Sequence, residues 1–150
     1  MEKYFLDKAI EQAKIAAGMG EVPVGAVIVK DDKIVSFAHN TKEITKDPTN
    51  HAEIVAIREA VKIIGDWRLN ECEMYVTLEP CTMCAGAIVQ SRIKRLYIGT
   101  FDPKGGGCGS VFNITQSENL NHWVNVNWLY DDECSQLLQH FFKQRRKKHE

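Results

Sequence analysis

Residues 74–99 read MYVTLEPCTMCAGAIVQSRIKRLYIG, and this stretch indicates a strand, a helix and a second strand. MYVTL is a short apolar run that Pro80 closes, CTMCAGAIVQS is typical of a helix, and RLYIG is another apolar run of strand length. Strands that are joined by a crossover helix usually lie parallel in one sheet. The stretch therefore predicts a sheet that is at least partly parallel, with a helix packed on it.

The chain before this unit predicts a helix and a hairpin. Apolar residues recur at helical spacing from Leu6 to Ala17, so we expect a first helix over about residues 2–18, ended by Gly18 and Gly20. GAVIVK and KIVSFAH, separated by Asp31 and Asp32, predict the two strands of a hairpin.

A loop and a second helix should follow. Residues 41–50 are polar and contain Pro48, which predicts a loop. The second helix should end at Gly65 and bury one apolar face, formed by Ile54, Ile57, Val61 and Ile64.

The chain after residue 99 predicts a glycine-rich loop, a late strand and a final helix. GGGCG at 105–109 indicates a flexible or tightly turned loop, and VNVNWL at 124–129 is a strand candidate. A terminal helix is expected over about residues 131–147, with Leu137, Leu138, Phe141 and Phe142 on its apolar face.

This order of elements predicts an α/β fold, a mixed sandwich around one sheet, in a single domain over residues 1–150. In such folds, ligand sites lie where strands end and helices begin. We therefore expect the chemistry at the starts of the second and third helices.

Composition restricts the class of protein. Apolar residues make up 44% of the 150 residues and charged residues 26%, and no apolar run approaches the about 20 residues that cross a bilayer. The N-terminus lacks the apolar centre of a signal peptide, so we expect a cytoplasmic protein without a membrane partner. Five cysteines without an even, closely spaced framework favour reduced thiols, some of them metal ligands.

Two short motifs stand at the predicted helix starts: His51-Ala52-Glu53, and Pro80-Cys81-Thr82-Met83-Cys84. Two cysteines in a Cys-x-x-Cys motif can bind one metal ion, and zinc accepts sulfur and imidazole nitrogen. His51, Cys81 and Cys84 supply three ligands and leave a position for water, which favours catalysis. Two alternatives remain at this point: a redox dithiol, and a structural site that Cys108 or Cys134 completes.

Glu53 also has two interpretations. Asn50 and Glu53 have the spacing of a capping box, in which the glutamate bonds back to the cap amide. A carboxylate beside a metal-activated water would instead serve as a general acid and base. Side chains in the first turn lean towards the N-terminus, so His51 and Glu53 could reach one site beyond the helix end.

The two motifs together resemble the signature of the cytidine and adenosine deaminase superfamily, in which zinc activates the attacking water and a glutamate moves protons. EVPVGAVIV, HN, HAEIVAIREA, DWRL, YVTLEPCTMCAGAIVQSR and DPKGGGCGS further resemble the bacterial tRNA-specific adenosine deaminases, over nearly the whole chain.

The resemblance implies a three-layer α/β/α cytidine-deaminase-like fold around one mixed five-stranded sheet. It also implies one Zn²⁺ per chain on His51, Cys81 and Cys84, and no organic cofactor. The implied reaction is the hydrolysis of adenosine to inosine at the wobble position of an arginine tRNA, where zinc-activated hydroxide attacks C6 and Glu53 shuttles protons.

The resemblance further implies a homodimer and a tRNA anticodon stem-loop as partner. By their place in the motifs, Asn40 should hold the target nucleoside, and Asp102 and Lys104 should touch neighbouring nucleotides. The terminal helix should help to hold the anticodon loop through Phe141, Phe142 and Arg145. Five of the last eight residues, KQRRKKHE, are Lys or Arg, which suits RNA phosphates but also a solvated helix end.

Two other functions share some of these features. A zinc deaminase of a free base or nucleotide, of the guanine or cytosine type, could carry the same two motifs but would have no need of a basic, aromatic terminal helix. A non-catalytic, zinc-stabilised RNA-binding module would close its metal site with four protein ligands and would leave Glu53 without a task.

Overall fold

A computed structural model describes residues 1–148, and His149 and Glu150 of the basic end lie outside the described residues. The elements are α1 (Glu2–Gly18), β1 (Gly25–Lys30), β2 (Lys33–His39), α2 (Lys42–Thr45), α3 (Ala52–Ile64), β3 (Cys72–Leu78), α4 (Thr82–Gln90), β4 (Arg95–Thr100), β5 (Asn125–Trp128) and α5 (Asp132–Lys148).

The strands form one mixed sheet in the order β2-β1-β3-β4-β5. β1 pairs antiparallel with β2 and β3, whereas β3, β4 and β5 are parallel, so the predicted crossover through α4 is confirmed. Asp31 and Asp32 both have positive φ angles, of 51° and 60°, in the turn between β1 and β2. Two consecutive left-handed residues match the strand twist of a tight hairpin, which confirms that prediction.

Helices cover both faces of the sheet. Alternate residues of β1 separate two cores: Ala26 and Ile28 pack with α3 and α4, and Val27 and Val29 pack with α1 and Cys134 of α5. Each fully buried valine or isoleucine contributes about 1.5–3 kcal/mol through the hydrophobic effect. The predicted three-layer α/β/α arrangement is therefore confirmed.

The buried face of α3 differs from the prediction. Ala52, Ala56 and Ala60 are fully buried, whereas the predicted face of Ile54, Ile57, Val61 and Ile64 is only half-buried. The Ser36 hydroxyl of β2 donates a hydrogen bond of 2.8 Å to the carbonyl of Ala56, so α3 lies very close to the sheet. Only small side chains fit in that space, and the larger ones flank it.

The predicted loop over residues 41–50 is partly wrong, because it contains the short helix α2. The buried carboxylate of Glu21 accepts hydrogen bonds from the backbone amides of Glu43 and Ile44, at 2.9 and 2.8 Å. These amides are the unpaired donors of a helix start, so a side chain that is distant in sequence stabilises this turn of helix. Local sequence patterns cannot indicate such a contact.

Two further properties bear on the sequence predictions. None of the helices within residues 1–148 combines the length and apolarity that a bilayer crossing needs. All five cysteines are free thiols, as the absence of a disulfide framework predicts.

Candidate active site

The starts of α3 and α4 supply the metal-binding motifs. His51 is the N-cap residue of α3 and Cys81 is the N-cap residue of α4, both with extended backbone, and neither side chain makes a capping hydrogen bond. Cys84 lies one turn further along α4 and is fully buried. The two helix starts therefore present three metal-binding side chains that the helices do not themselves use.

The three side chains meet in a geometry that fits zinc. Nδ1 of His51 lies 3.7 Å from Sγ of Cys81 and 3.6 Å from Sγ of Cys84. Tetrahedral zinc with ordinary Zn–N and Zn–S bond lengths separates a nitrogen from a sulfur ligand by about 3.6 Å. The donor set and its spacing therefore fit a zinc ion, and the chemistry of thiolate and imidazole favours that metal.

Electrostatic interactions favour the ionised form of one of the two thiols. The neighbouring Cys84 thiol is the main cause that lowers the pKa of Cys81 to about 4, with a further contribution from His51. The same contact with Cys81, together with burial, raises the pKa of Cys84. Cys81 is therefore a thiolate at neutral pH, which is the form that binds metal.

The other cysteines lie elsewhere. Cys134 belongs to the core on the opposite side of the sheet, with α1. Cys108 is buried in a loop, and its backbone amide bonds to Glu79. Among residues 1–148, the group of mutually close metal donors consists of His51, Cys81 and Cys84. Three protein ligands leave a coordination position for water, as in catalytic zinc sites.

Glu53 lies beside this group and is almost completely buried, with 3% of its surface exposed. Burial raises the pKa of its carboxyl to about 7. The capping-box interpretation is wrong, since the N-cap residue is His51 and the backbone amide of Asn50 donates to the carbonyl of Asp47. The Asn50 side chain is also engaged elsewhere: its NH₂ donates to the hydroxyls of Thr41 and Thr45, and its oxygen accepts from Arg58. A buried carboxyl that titrates near neutral pH suits a group that both accepts and donates protons.

A cavity of about 150 Å³ opens at this group, lined among others by Asn40, His51, Glu53, Cys81 and Asp102. Asn40 is buried, and the oxygen of its side-chain amide accepts a hydrogen bond of 3.2 Å from the backbone amide of Lys42. This space is smaller than a pocket for a drug-sized ligand and suits a single small ring system.

A much larger groove of about 1320 Å³ adjoins this cavity, and Val22, Leu78 and Asp102 line both. Its walls carry basic and aromatic side chains, of which Tyr130 and Phe142 are 68% and 42% exposed. The basic side chains are Lys104, Arg145 and Arg146. The acidic side chains are Asp102, Asp131 and Asp132. A narrow cavity thus opens into a wide groove that carries charges of both signs and exposed aromatic rings.

Phe141 lies outside this groove. It lines a separate cavity of about 560 Å³ between α5 and the end of α1, together with Gly18, Leu137 and Arg145. The Arg145 guanidinium lies 5.0 Å from the centre of the Phe141 ring. The structure therefore brings five of the six predicted RNA-contacting residues to the cavity or the groove, and it places Phe141 elsewhere.

Comparisons with known proteins agree with this geometry. A family model described as MafB19-like deaminase matches residues 2–146. The tRNA-specific adenosine deaminase of Aquifex aeolicus (strain VF5) is 50% identical over 145 residues, which are 97% of this chain and 96% of that protein. The chain belongs to the family of tRNA-specific adenosine deaminases.

Two solved structures of deaminases resemble this chain in both fold and sequence. A structure from studies of A-to-I editing by tRNA:A34 deaminases at the wobble position of transfer RNA has a TM-score of 0.88 and 40% identity, and covers 91% of this chain and 99% of that one. A guanine deaminase from Bacillus subtilis has a TM-score of 0.64 and 31% identity, and covers 96% of this chain and 93% of that one.

One residue of the deaminase site was missing from the sequence-based candidates. Glu79 lines the catalytic cavity and is buried, with 2% of its surface exposed. Its signal in the sequence is an acidic residue between a predicted buried strand and a candidate metal ligand, since a carboxylate in such a place is rarely buried without partners.

Proposed function

We propose that the chain is a single zinc-dependent deaminase domain over residues 1–150, which converts adenosine to inosine at the wobble position of an arginine tRNA. The observation that carries this proposal is the junction of the catalytic cavity with the large groove. A cavity for one flipped base, beside a groove with exposed aromatic rings and with the arginines of α5 on its wall, suits a target base within RNA. A deaminase of free guanine or cytosine would need the cavity alone.

The cavity residues divide the chemistry among them. His51, Cys81 and Cys84 would hold zinc, which supplies a Lewis acid that makes water nucleophilic at neutral pH. Glu53 accepts a proton from the attacking water and passes it to N1 of adenine. It then takes the proton of the hydroxyl that has been added at C6 and delivers it to the departing amine. The C6 carbonyl forms as the C–N bond breaks, so that adenosine and water become inosine and ammonia. Its pKa of about 7 allows both protonation states.

The residues around the cavity would bind the RNA. Asn40 is held by Lys42 and faces the cavity, where its amide can hydrogen-bond the target nucleoside. Asp102 and Lys104 would touch the neighbouring nucleotides, with Asp102 at the junction of cavity and groove. Phe142 offers a surface for base stacking, and Arg145 offers a cation for phosphates. Phe141 would act indirectly, by supporting Arg145.

We further propose that the enzyme works as a homodimer in the cytoplasm. Ten large apolar side chains of the described residues are at least half exposed, among them Ile63, Trp67, Phe112 and Trp123, and a dimer interface would cover part of this apolar surface. Light scattering in solution measures the mass directly, and a monomer of 17.0 kDa at micromolar concentration would contradict this part of the proposal.

One experiment tests the activity. The purified protein is incubated with arginine tRNA carrying adenosine at the wobble position, with the matching anticodon stem-loop, and with free adenosine, guanine and cytidine. We expect inosine and an equal amount of ammonia from the RNA substrates only. Ammonia from guanine or cytidine, without inosine from RNA, would favour the small-substrate deaminase. RNA binding without turnover of any substrate would favour the binding module.

A further inference from the structure

Glu79 makes more hydrogen bonds than any role described above requires. One carboxylate oxygen accepts a bond from the backbone amide of Asp102, at 2.9 Å, and from the hydroxyl of Ser110. The other accepts bonds from the amides of Cys108 and Ser110, at 3.0 and 3.1 Å. All four donors belong to the loop over residues 102–110, which we call the substrate loop.

The substrate loop is shaped around this carboxylate. A Cβ atom on Gly106 would overlap the carboxyl group of Glu79 and displace it, so the loop packs directly against this carboxylate. The amide of Gly107 donates a hydrogen bond of 2.8 Å to the carbonyl of Pro80, next to Glu79. A carboxylate suits this position because it accepts several hydrogen bonds and donates none. Without it, the loop would bury amides that lack partners, at a considerable energetic cost.

The same loop connects the two parts of the site. It begins at Asp102, which borders both the catalytic cavity and the groove, and it includes Lys104 on the groove wall. On the other side, Glu79 is two residues from the metal-binding Cys81, and Cys81 also forms an isolated β-bridge with Gly106. One buried carboxylate thus ties the groove wall to the segment that carries a metal ligand.

We propose that Glu79 is a positioning residue for substrate binding: its carboxylate sets the conformation of the substrate loop and thereby the position of Asp102 and Lys104. The inference rests on the proposed function only in that the substrate is RNA. Both carboxylate oxygens accept hydrogen bonds from the loop. Glu79 therefore acts on the substrate through the loop rather than by proton transfer. Its loss should weaken RNA binding more than it slows the chemical step.

The test uses Glu79→Gln, which preserves the size of the side chain but replaces one acceptor oxygen with an NH₂ donor. That donor faces two loop donors, so the loop should loosen. We expect hydrogen exchange of the loop amides to accelerate about tenfold or more, while the β3 and β4 amides are unchanged. KM for the anticodon stem-loop should rise about tenfold or more with kcat within about threefold, and zinc should stay at one per chain.

Two more variants allow the proposal to be tested even if Glu79→Gln does not fold. Ser110→Ala removes one hydroxyl from the loop and keeps the carboxylate, so exchange and KM should change in the same direction, but less. Ser36→Ala is the matched control, because it removes a hydrogen bond between β2 and α3 and leaves the substrate loop intact. Its loop exchange and KM should equal those of the wild type. If Glu79→Gln does not fold, Ser110→Ala decides.

The outcomes separate this inference from the proposed function. Loop exchange at the wild-type rate in Glu79→Gln would overturn the inference, as would loss of zinc or an unchanged KM beside faster exchange. Exchange is measured without substrate, so it tests whether Glu79 sets the conformation of the loop even when the wild type leaves the stem-loop unchanged. That last result would contradict the proposed function alone.

Discussion

His51 and Glu53 are only two positions apart in the sequence, yet both side chains reach the same cavity. His51 has extended backbone just before α3, so its ring points away from the helix and meets Cys81 and Cys84. Glu53 lies in the first turn, where side chains lean towards the N-terminus. Two residues that would lie on opposite sides of a complete helix therefore converge at its end.

The proposed role of Glu53 predicts that Glu53→Gln separates chemistry from binding. The amide keeps the size of the carboxyl but cannot take a proton, so turnover of the anticodon stem-loop should fall by about 10²–10⁴. Zinc content and RNA affinity should stay at wild-type values. The control is Glu59→Gln, on the exposed face of the same helix, which should leave turnover unchanged. Turnover within about tenfold of wild type in Glu53→Gln would contradict the role.

The metal ligands predict a different result for Cys81→Ala. We expect loss of zinc, loss of activity and a lower melting temperature, because metal binding is coupled to folding. Cys72→Ala is the matched control, since Cys72 is fully buried at the beginning of β3 and does not belong to the group of mutually close metal donors. It should keep one zinc per chain. Elemental analysis and thermal unfolding measure both variants, and full zinc occupancy in Cys81→Ala would refute the ligand assignment.

At the scale of elements, α5 shows how neighbouring residues on a helix acquire different surroundings. Phe141 and Phe142 are about 100° apart around the helix axis. Phe141 therefore packs between α5 and the end of α1, whereas Phe142 faces the groove with Arg145 and Arg146. Within residues 143–147, the side of α5 that carries Arg145 and Arg146 lines the proposed RNA groove.

This asymmetry predicts that the positively charged side chains of α5 contribute unequally to tRNA affinity. Arg146→Gln should weaken tRNA binding and reduce the slope of log affinity against log salt by about 0.7–0.9, because one phosphate contact is lost. Lys143→Gln is the matched control: Lys143 is exposed on the same helix but does not line the groove. Its affinity and salt slope should equal those of the wild type. Titrations at several salt concentrations measure affinity and salt slope in both variants. Equal losses in the two variants would mean that α5 contributes only its overall positive charge and that the groove is not the binding surface.

Deletion of residues 143–150 gives the largest change of this kind, since it removes five Lys or Arg side chains. We expect a larger loss of tRNA affinity and a shallower salt dependence. Zinc content should not change, and thermal stability should change little because exposed charges contribute little to it. Unchanged affinity and slope would mean that the basic end is merely solvated.

At the scale of the whole molecule, the sheet brings distant segments together at the site. Asn40 follows β2, His51 and Glu53 begin α3, Cys81 precedes α4, and Asp102 follows β4. The strands are firmly paired, so they hold these segments in place. A zinc ion on His51, Cys81 and Cys84 would add a link between α3 and α4.

Removal of zinc should therefore destabilise the whole fold. At free zinc about 1,000-fold above its dissociation constant, the metal would add about 4 kcal/mol to stability. For a chain of this size, its removal by a chelator should lower the melting temperature by about 8–16 °C, and added zinc should restore it. Cys81→Ala should not respond to the chelator. An equal response in both proteins would mean that the metal binds elsewhere.

The sequence by itself predicted the elements other than α2, the parallel crossover between β3 and β4, and three candidate metal ligands, but not the order of the strands. Helical spacing, the hairpin turn at Asp31 and Asp32, and the crossover between β3 and β4 all depend on interactions between near neighbours or on general rules of chain connection. The two metal-binding motifs are similarly local, because each is a short segment at the start of one helix. Those predictions needed no knowledge of how distant segments pack.

Only the tertiary structure decided which side chains support the site. Glu21 stabilises α2 and Glu79 organises the substrate loop, each through backbone amides more than 20 residues away. The closeness of α3 to the sheet buries its alanines and leaves its larger apolar residues at the edge. Such contacts depend on the relative placement of whole elements. A local pattern shows that a carboxylate is present, but the fold determines which amides it must satisfy.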